Sequence, residues 1–135
     1  MKILVIDGQG GQLGAQIIKS VKAKFESAEI TAVGTNSAAT LAMLKAGAEN
    51  AATGENPVKV ACRKADIIVG PVGIVIADSL CGEITADMAV AVGQADAVRI
   101  LVPMNKCENQ VAGIPDLTTA ALINDVTEKI GKIIG

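Results

Sequence analysis

Met1-Lys2-Ile3-Leu4-Val5-Ile6-Asp7-Gly8-Gln9-Gly10-Gly11-Gln12-Leu13-Gly14 passes from an unbroken aliphatic run into a cluster of glycines. Four consecutive apolar side chains at residues 3–6 suit a strand buried on both faces, as in a parallel sheet covered by helices. Beyond the glycines, Leu13, Ile17, Val21 and Phe25 recur with the period of one helical face, while Lys19, Lys22 and Lys24 fall elsewhere. The stretch therefore reads as strand, tight turn and helix. Glycines in such a turn allow close approach of backbone to ligand and of helix to strand. The helix start offers unpaired N–H groups and the positive end of its dipole to an anion.

The alternation continues downstream. Residues 29–33 predict a second strand, Gly34-Thr35-Asn36-Ser37 a loop with Asn36 or Ser37 as the cap, a role ranked first for Ser37, and residues 38–46 a helix stopped by Gly47. Residues 48–53 leave room for a short third strand. Gly54-Glu55-Asn56-Pro57 leads into a helix with Asn56 as N-cap and Pro57 in its first position, ending near Arg63 and Lys64. Residues 66–69 form the fourth strand. After Gly70-Pro71-Val72-Gly73, the shared face of Ile74, Ala77, Leu80 and Cys81 predicts a further helix. Thr85 caps a helix over residues 86–92, residues 98–102 are the fifth strand, and residues 110–114 suggest a sixth at the edge. Leu122, Val126, Ile130 and Ile133 line a closing helix that starts from Thr118. The pattern predicts a single α/β domain over residues 1–135, a three-layer Rossmann-like open parallel sheet of five or six strands with helices on both faces.

Composition narrows the function classes. Half of the 135 residues are hydrophobic and 19% are charged, which argues against disorder. Trp and Tyr are missing and Phe25 is the sole aromatic, so Ala, Val, Ile and Leu must fill the core. So apolar a small domain predicts a homo-oligomer, with a dimer as the favoured form. The net charge of −2 is scattered, and no basic stripe or base-stacking Trp or Tyr supports a nucleic-acid partner. Residues 67–77 are interrupted by Gly70, Pro71 and Gly73 and are too short to span a membrane. The amino terminus lacks a signal peptide's layout, and Cys62, Cys81 and Cys107 show no paired spacing, which fits free thiols in the cytoplasm.

Without His there is no histidine base or Ser-His-Asp triad, and without Tyr no tyrosine proton donor. Any catalysis would rest on Asp7, Glu55, Lys106, a cysteine such as Cys107, or metal-bound water. Asp78, Glu83 and Asp87 form an irregular acidic group, and no metal site is expected there.

Ligands of open α/β sheets sit beyond the carboxyl ends of the strands. The candidate site is Asp7, Gly8, Gly10, Gly11, Gln12, Leu13 and Gly14, with Thr35, Asn36, Gly70, Asn105 and Lys106 from neighbouring loops. It is suited to a small phosphate-bearing ligand, NAD(P) or another nucleotide. The strict G-x-G-x-x-G frame from Gly8 puts Leu13 in the third glycine position, and no Gly-Lys-Ser or Gly-Lys-Thr is present. Gly34, Thr35, Asn36 and Ser37 supply neither the acid that selects NAD nor an Arg for a 2′-phosphate, which leaves NADP, a mononucleotide or another small anion. Asp7 would repel a phosphate, so its leading role is to hold the loop through the amides of Gly10 or Gly11. Receiving a ligand hydroxyl and holding Mg²⁺ against a phosphate follow.

Residues 6–14 resemble the start of extended short-chain dehydrogenases/reductases, which implies that Gly8, Gly11 and Gly14 wrap a dinucleotide pyrophosphate. That family's Tyr and partner Lys have no counterpart here, and Asp7 replaces its usual small residue. Residues 7–14, 32–37, 53–57, 68–80, 82–85 and 102–105 resemble a family of short, uncharacterised proteins from anaerobic Gram-positive bacteria, known as a domain of unknown function. That resemblance implies a single-domain, intracellular, Rossmann-like protein and brings no activity. Three readings remain: a nucleotide or phosphorylated-ligand binder acting as a sensor or complex component; an NAD(P)-dependent oxidoreductase or other nucleotide-using enzyme completed by an oligomer; and a structural or interaction protein without a ligand.

Overall fold

Ile3, Leu4, Val5 and Ile6 are each at most 1% exposed, as a strand must be when it has neighbours on both edges and helices on both faces. In the computed structural model, which describes residues 1–104 and 108–135, they form the central strand β1 (Lys2–Asp7). It lies between β2 (Glu29–Gly34) and β4 (Ile67–Pro71), with β3 (Asn50–Thr53) and β5 (Val98–Val102) at the edges. All pairings are parallel, in the order β3-β2-β1-β4-β5. The chain reverses its direction of travel across the sheet between β1 and β4, the switch point of a Rossmann-type sheet.

Successive side chains of β1 point to opposite faces. Ile3 and Val5 join Ile17, Ile18 and Val21 of α1 (Gln12–Lys24), Met43 of α2 (Ser37–Lys45), and Leu122, Val126 and Ile130 of α5 (Thr119–Ile134). Leu4 and Ile6 join Val58 and Cys62 of α3 (Glu55–Cys62), and Met88 and Val92 of α4 (Ala86–Gln94). Two aliphatic cores thus sandwich one sheet, as the absence of large aromatics requires. On the first face, the hydroxyls of Ser20 and Thr127 meet at 2.8 Å and tie α1 to α5.

Three expectations are corrected. Residues 74–81 do not form a helix. A short 3₁₀ turn (Val72–Val75) leads into an irregular strap whose Asp78, Leu80, Cys81 and Gly82 all have positive φ. Ile74, Leu80 and Ile84 still reach the core, so the apolar spacing is satisfied by turns. Residues 110–114 form no strand. Val111 and Ile114 are exposed, and the described sheet has five strands because this segment has no core face to bury. The third helix starts earlier than predicted: Gly54 is its N-cap, and Asn56 and Pro57 lie inside the first turn, where proline's missing N–H costs nothing.

Candidate ligand-binding site

The turn between β1 and α1 is shaped by Asp7. Its Oδ1 accepts the Gly8 amide at 2.8 Å and its Oδ2 accepts the Gly14 amide at 2.7 Å. The loop-holding role is as expected, but the amides are those of Gly8 and Gly14 instead of Gly10 or Gly11. Asp7 is 2% exposed. Burial pushes its carboxyl above the usual aspartate range against the two amide bonds, and the Glu83 charge adds to the rise. Each oxygen holds one amide underneath the loop, and the carboxyl is buried there.

Three of the four loop glycines answer to packing. A Cβ on Gly8 would stand 2.7 Å from the Thr35 hydroxyl, one on Gly11 2.7 Å from the Ala39 backbone, and one on Gly14 2.6 Å from the Met43 sulfur. Gly11 also has φ +72°, which favours glycine. Gly10 differs. A Cβ there would meet nothing nearer than Gln12 Cγ at 3.9 Å, and its φ is not positive.

Gly11 is the N-cap of α1 and offers no side chain to the helix start, whereas Asn36, Thr85 and Thr118 cap α2, α4 and α5. The Gly11 amide turns back to the Gly8 carbonyl at 2.9 Å. The amides of Gly10, Gln12 and Leu13 have no partner among the described residues. They border a crevice of about 290 Å³ lined by residues 7–13 together with Gln16, Met104 and Thr119. It lies between the carboxyl ends of β1 and β5 and the amino ends of α1 and α5. A larger cavity of about 540 Å³ lies between α3 and β1, β2 and β3. There, two-turn α3 leaves part of the sheet face uncovered, and Lys2, Glu29 and Lys64 rim mainly apolar residues. The smaller crevice is the better candidate because it combines the carboxyl-end position with open backbone donors.

Glu83 decides the β2 side of the site. The strap brings its Oε1 to the Gln9 amide at 2.9 Å, the Thr35 hydroxyl at 2.6 Å and the Asn36 side-chain amide at 2.7 Å. Burial raises its carboxyl, but the bonds from Thr35, Gln9 and Asn36 outweigh this and hold it below the ordinary glutamate range. Asn36 also donates to the Gln9 carbonyl at 2.9 Å and accepts the Ala39 amide at 2.9 Å. Asn36, and not Ser37, is therefore the cap of α2.

The structure brings Asp7, Gly8, Gly10, Gly11, Gln12 and Leu13 together around the crevice. Gly14 lies beneath it on Asp7 and Met43. Thr35 and Asn36 do not line it, because Glu83 engages them. Gly70 does not line it either; it is buried in β4 against the Ile6 carbonyl. Asn105, Lys106 and Cys107 lie outside the described residues. Glu55 accepts the Thr85 hydroxyl at 2.6 Å and ties α3 to α4, away from the crevice. Asp87 pairs with Lys59 at 3.3 Å. Among the described residues no group of three or more His, Cys, Asp or Glu side chains could hold a metal ion. No described helix is long and apolar enough to cross a membrane.

Sequence reasoning missed Gln16 and Thr119 as lining residues and Glu83 as the partner of Thr35 and Asn36. The available signal for Glu83 was its place in the connection after β4, which starts at the same sheet edge as the glycine loop.

Sheet order and loop together define a Rossmann-type α/β domain with an open helix start at its switch point. The chain belongs to the family described as a domain of unknown function, DUF3842, whose profile matches residues 2–135. Comparison with curated proteins gives no match. Among solved structures, the dodecameric FMN-dependent Ubix-like decarboxylase from Escherichia coli O157:H7 is similar at a TM-score of 0.48 and 13% identity, over 97% of this chain and 94% of that one.

Proposed function

We propose that this protein binds a small phosphate-bearing ligand, a mononucleotide or sugar phosphate, in the crevice above Gly10, and acts as a sensor or complex component. The observation that carries this reading is the set of unpartnered amides of Gly10, Gln12 and Leu13 beside the one loop glycine that packing does not require. Backbone donors at a helix start suit a phosphate's several acceptor oxygens. The crevice, about 290 Å³, is small for a whole dinucleotide, which favours the smaller ligand over NAD(P). Asp7 is the only titratable side chain among the described lining residues, and it is buried with an amide on each oxygen, which favours binding over acid–base catalysis.

The test is calorimetry and thermal shift with inorganic phosphate, ribose 5-phosphate and AMP on the wild type and Gly10→Leu. The reading requires at least one of these to bind the wild type and the Leu side chain to abolish that binding without lowering the unliganded melting temperature. Absence of binding by all three, or equal binding by the variant, would overturn it.

A further inference from the structure

Glu83 converts the β2 side of the site from a surface of donors into an acceptor. The sequence places Thr35 and Asn36 at the end of β2, where their hydroxyl and amide suit a phosphate. In the folded chain both donors, and the Gln9 amide, are spent on Glu83 Oε1. Its Oε2 has no partner among the described residues. A carboxylate offers about four lone-pair positions over its two oxygens, so acceptor capacity remains.

The strap that delivers this carboxylate is anchored, since Leu80 and Ile84 are at most 1% exposed. The Asp78 amide donates to the Ile84 carbonyl at 2.7 Å, and the Ser79 hydroxyl donates to the Gly73 carbonyl. Gln9 joins the two halves of the site, because it lines the crevice and its amide holds Glu83. The crevice presents backbone donors, and Glu83, outside its lining, holds a negative charge on the other side of Gln9.

We propose that Glu83 is a specificity-determining residue that receives ligand hydroxyls and excludes a second anionic group. The ligand class is then a phosphate monoester with a free vicinal diol, such as a ribose phosphate or ribonucleotide, and a 2′-phosphorylated nucleotide is rejected. In dinucleotide-binding sheets an acid at the end of β2 takes the ribose hydroxyls. Here that position is neutral in sequence, and a carboxylate from the far side of the switch point stands on it.

The inference rests on the phosphate-ligand reading, and its test separates the two. Calorimetry would compare ribose 5-phosphate, 2-deoxyribose 5-phosphate and inorganic phosphate on the wild type and Glu83→Gln. The expected result is about tenfold tighter binding of the ribose compound by the wild type, from one charge-assisted hydrogen bond. Glu83→Gln should bring the two sugar phosphates to similar affinity while inorganic phosphate binds as before. Equal affinities in the wild type would overturn the inference and leave the phosphate reading standing. Equal tightening of both sugar phosphates in Glu83→Gln would show a carboxylate that merely blocks the site, and would also overturn it. Failure of all three probes to bind would remove both.

Discussion

Asp7 Oδ2 accepts the Gly14 amide at 2.7 Å, closing the whole glycine turn onto the strand from which it departs. Its second oxygen takes the Gly8 amide, so one side chain fixes both ends of the loop. In Asp7→Asn, the side-chain NH₂ must face one of these amides. We expect a loss of roughly 1–3 kcal/mol in denaturant unfolding, the cost of leaving a buried donor without an acceptor. The pH dependence follows from the raised native pKa. Between the ordinary value of 3.8 and the native one, the folded state holds more protons than the unfolded state, so wild-type stability falls as pH rises. The gap between wild type and Asp7→Asn is therefore widest at the acid end and narrows as pH rises through the native pKa.

Glu83 carries the opposite sign. Its native pKa is lowered from 4.5, so its stabilising contribution is full above that value and disappears as pH falls through the native pKa. Matched unfolding curves for wild type and Glu83→Gln should thus converge on acidification. Divergence in acid would contradict the hydrogen-bond arrangement around Oε1.

The glycines of one turn should respond unequally. Gly11→Ala forces a Cβ against Ala39 and keeps a positive φ, so a loss of about 1–3 kcal/mol is expected. Gly10→Ala should lie within about 0.5 kcal/mol of the wild type, because the added methyl has open space. Thermal and denaturant unfolding of both variants provide the comparison.

Thiol chemistry gives an independent check on the strap and α3. Cys81 is exposed, whereas Cys62 is buried and its thiol is pushed up to about 11 by burial. Timed alkylation at neutral pH, read by site-resolved mass spectrometry, should label Cys81 promptly and Cys62 only on unfolding. Early labelling of Cys62 would mean that α3 opens readily from the sheet.

Much of the fold was legible because β1, β2, β4 and β5 carry aliphatic residues that few other structures could bury. Thr85 and Thr118 likewise announced their helices. The strap was not legible: Asp78, Leu80 and Cys81 adopt positive φ without being glycine, and their buried neighbours follow no period. The glycine cluster marked the candidate site, yet the packing of Gly8, Gly11 and Gly14 depended on Thr35, Ala39 and Met43, beyond the loop itself. Thr35 and Glu83 are 48 residues apart, a contact that only the crossover through β4 creates.

The packing of the turn has a consequence for how such chains diverge. Gly8, Gly11 and Gly14 are held by Thr35, Ala39 and Met43 whether or not anything binds, so a descendant that had lost its ligand would still keep them. Gly10 would drift first. The diagnostic letter of this motif is the one between the regularly spaced glycines, and a comparison of relatives at that single position would sort binders from bare scaffolds.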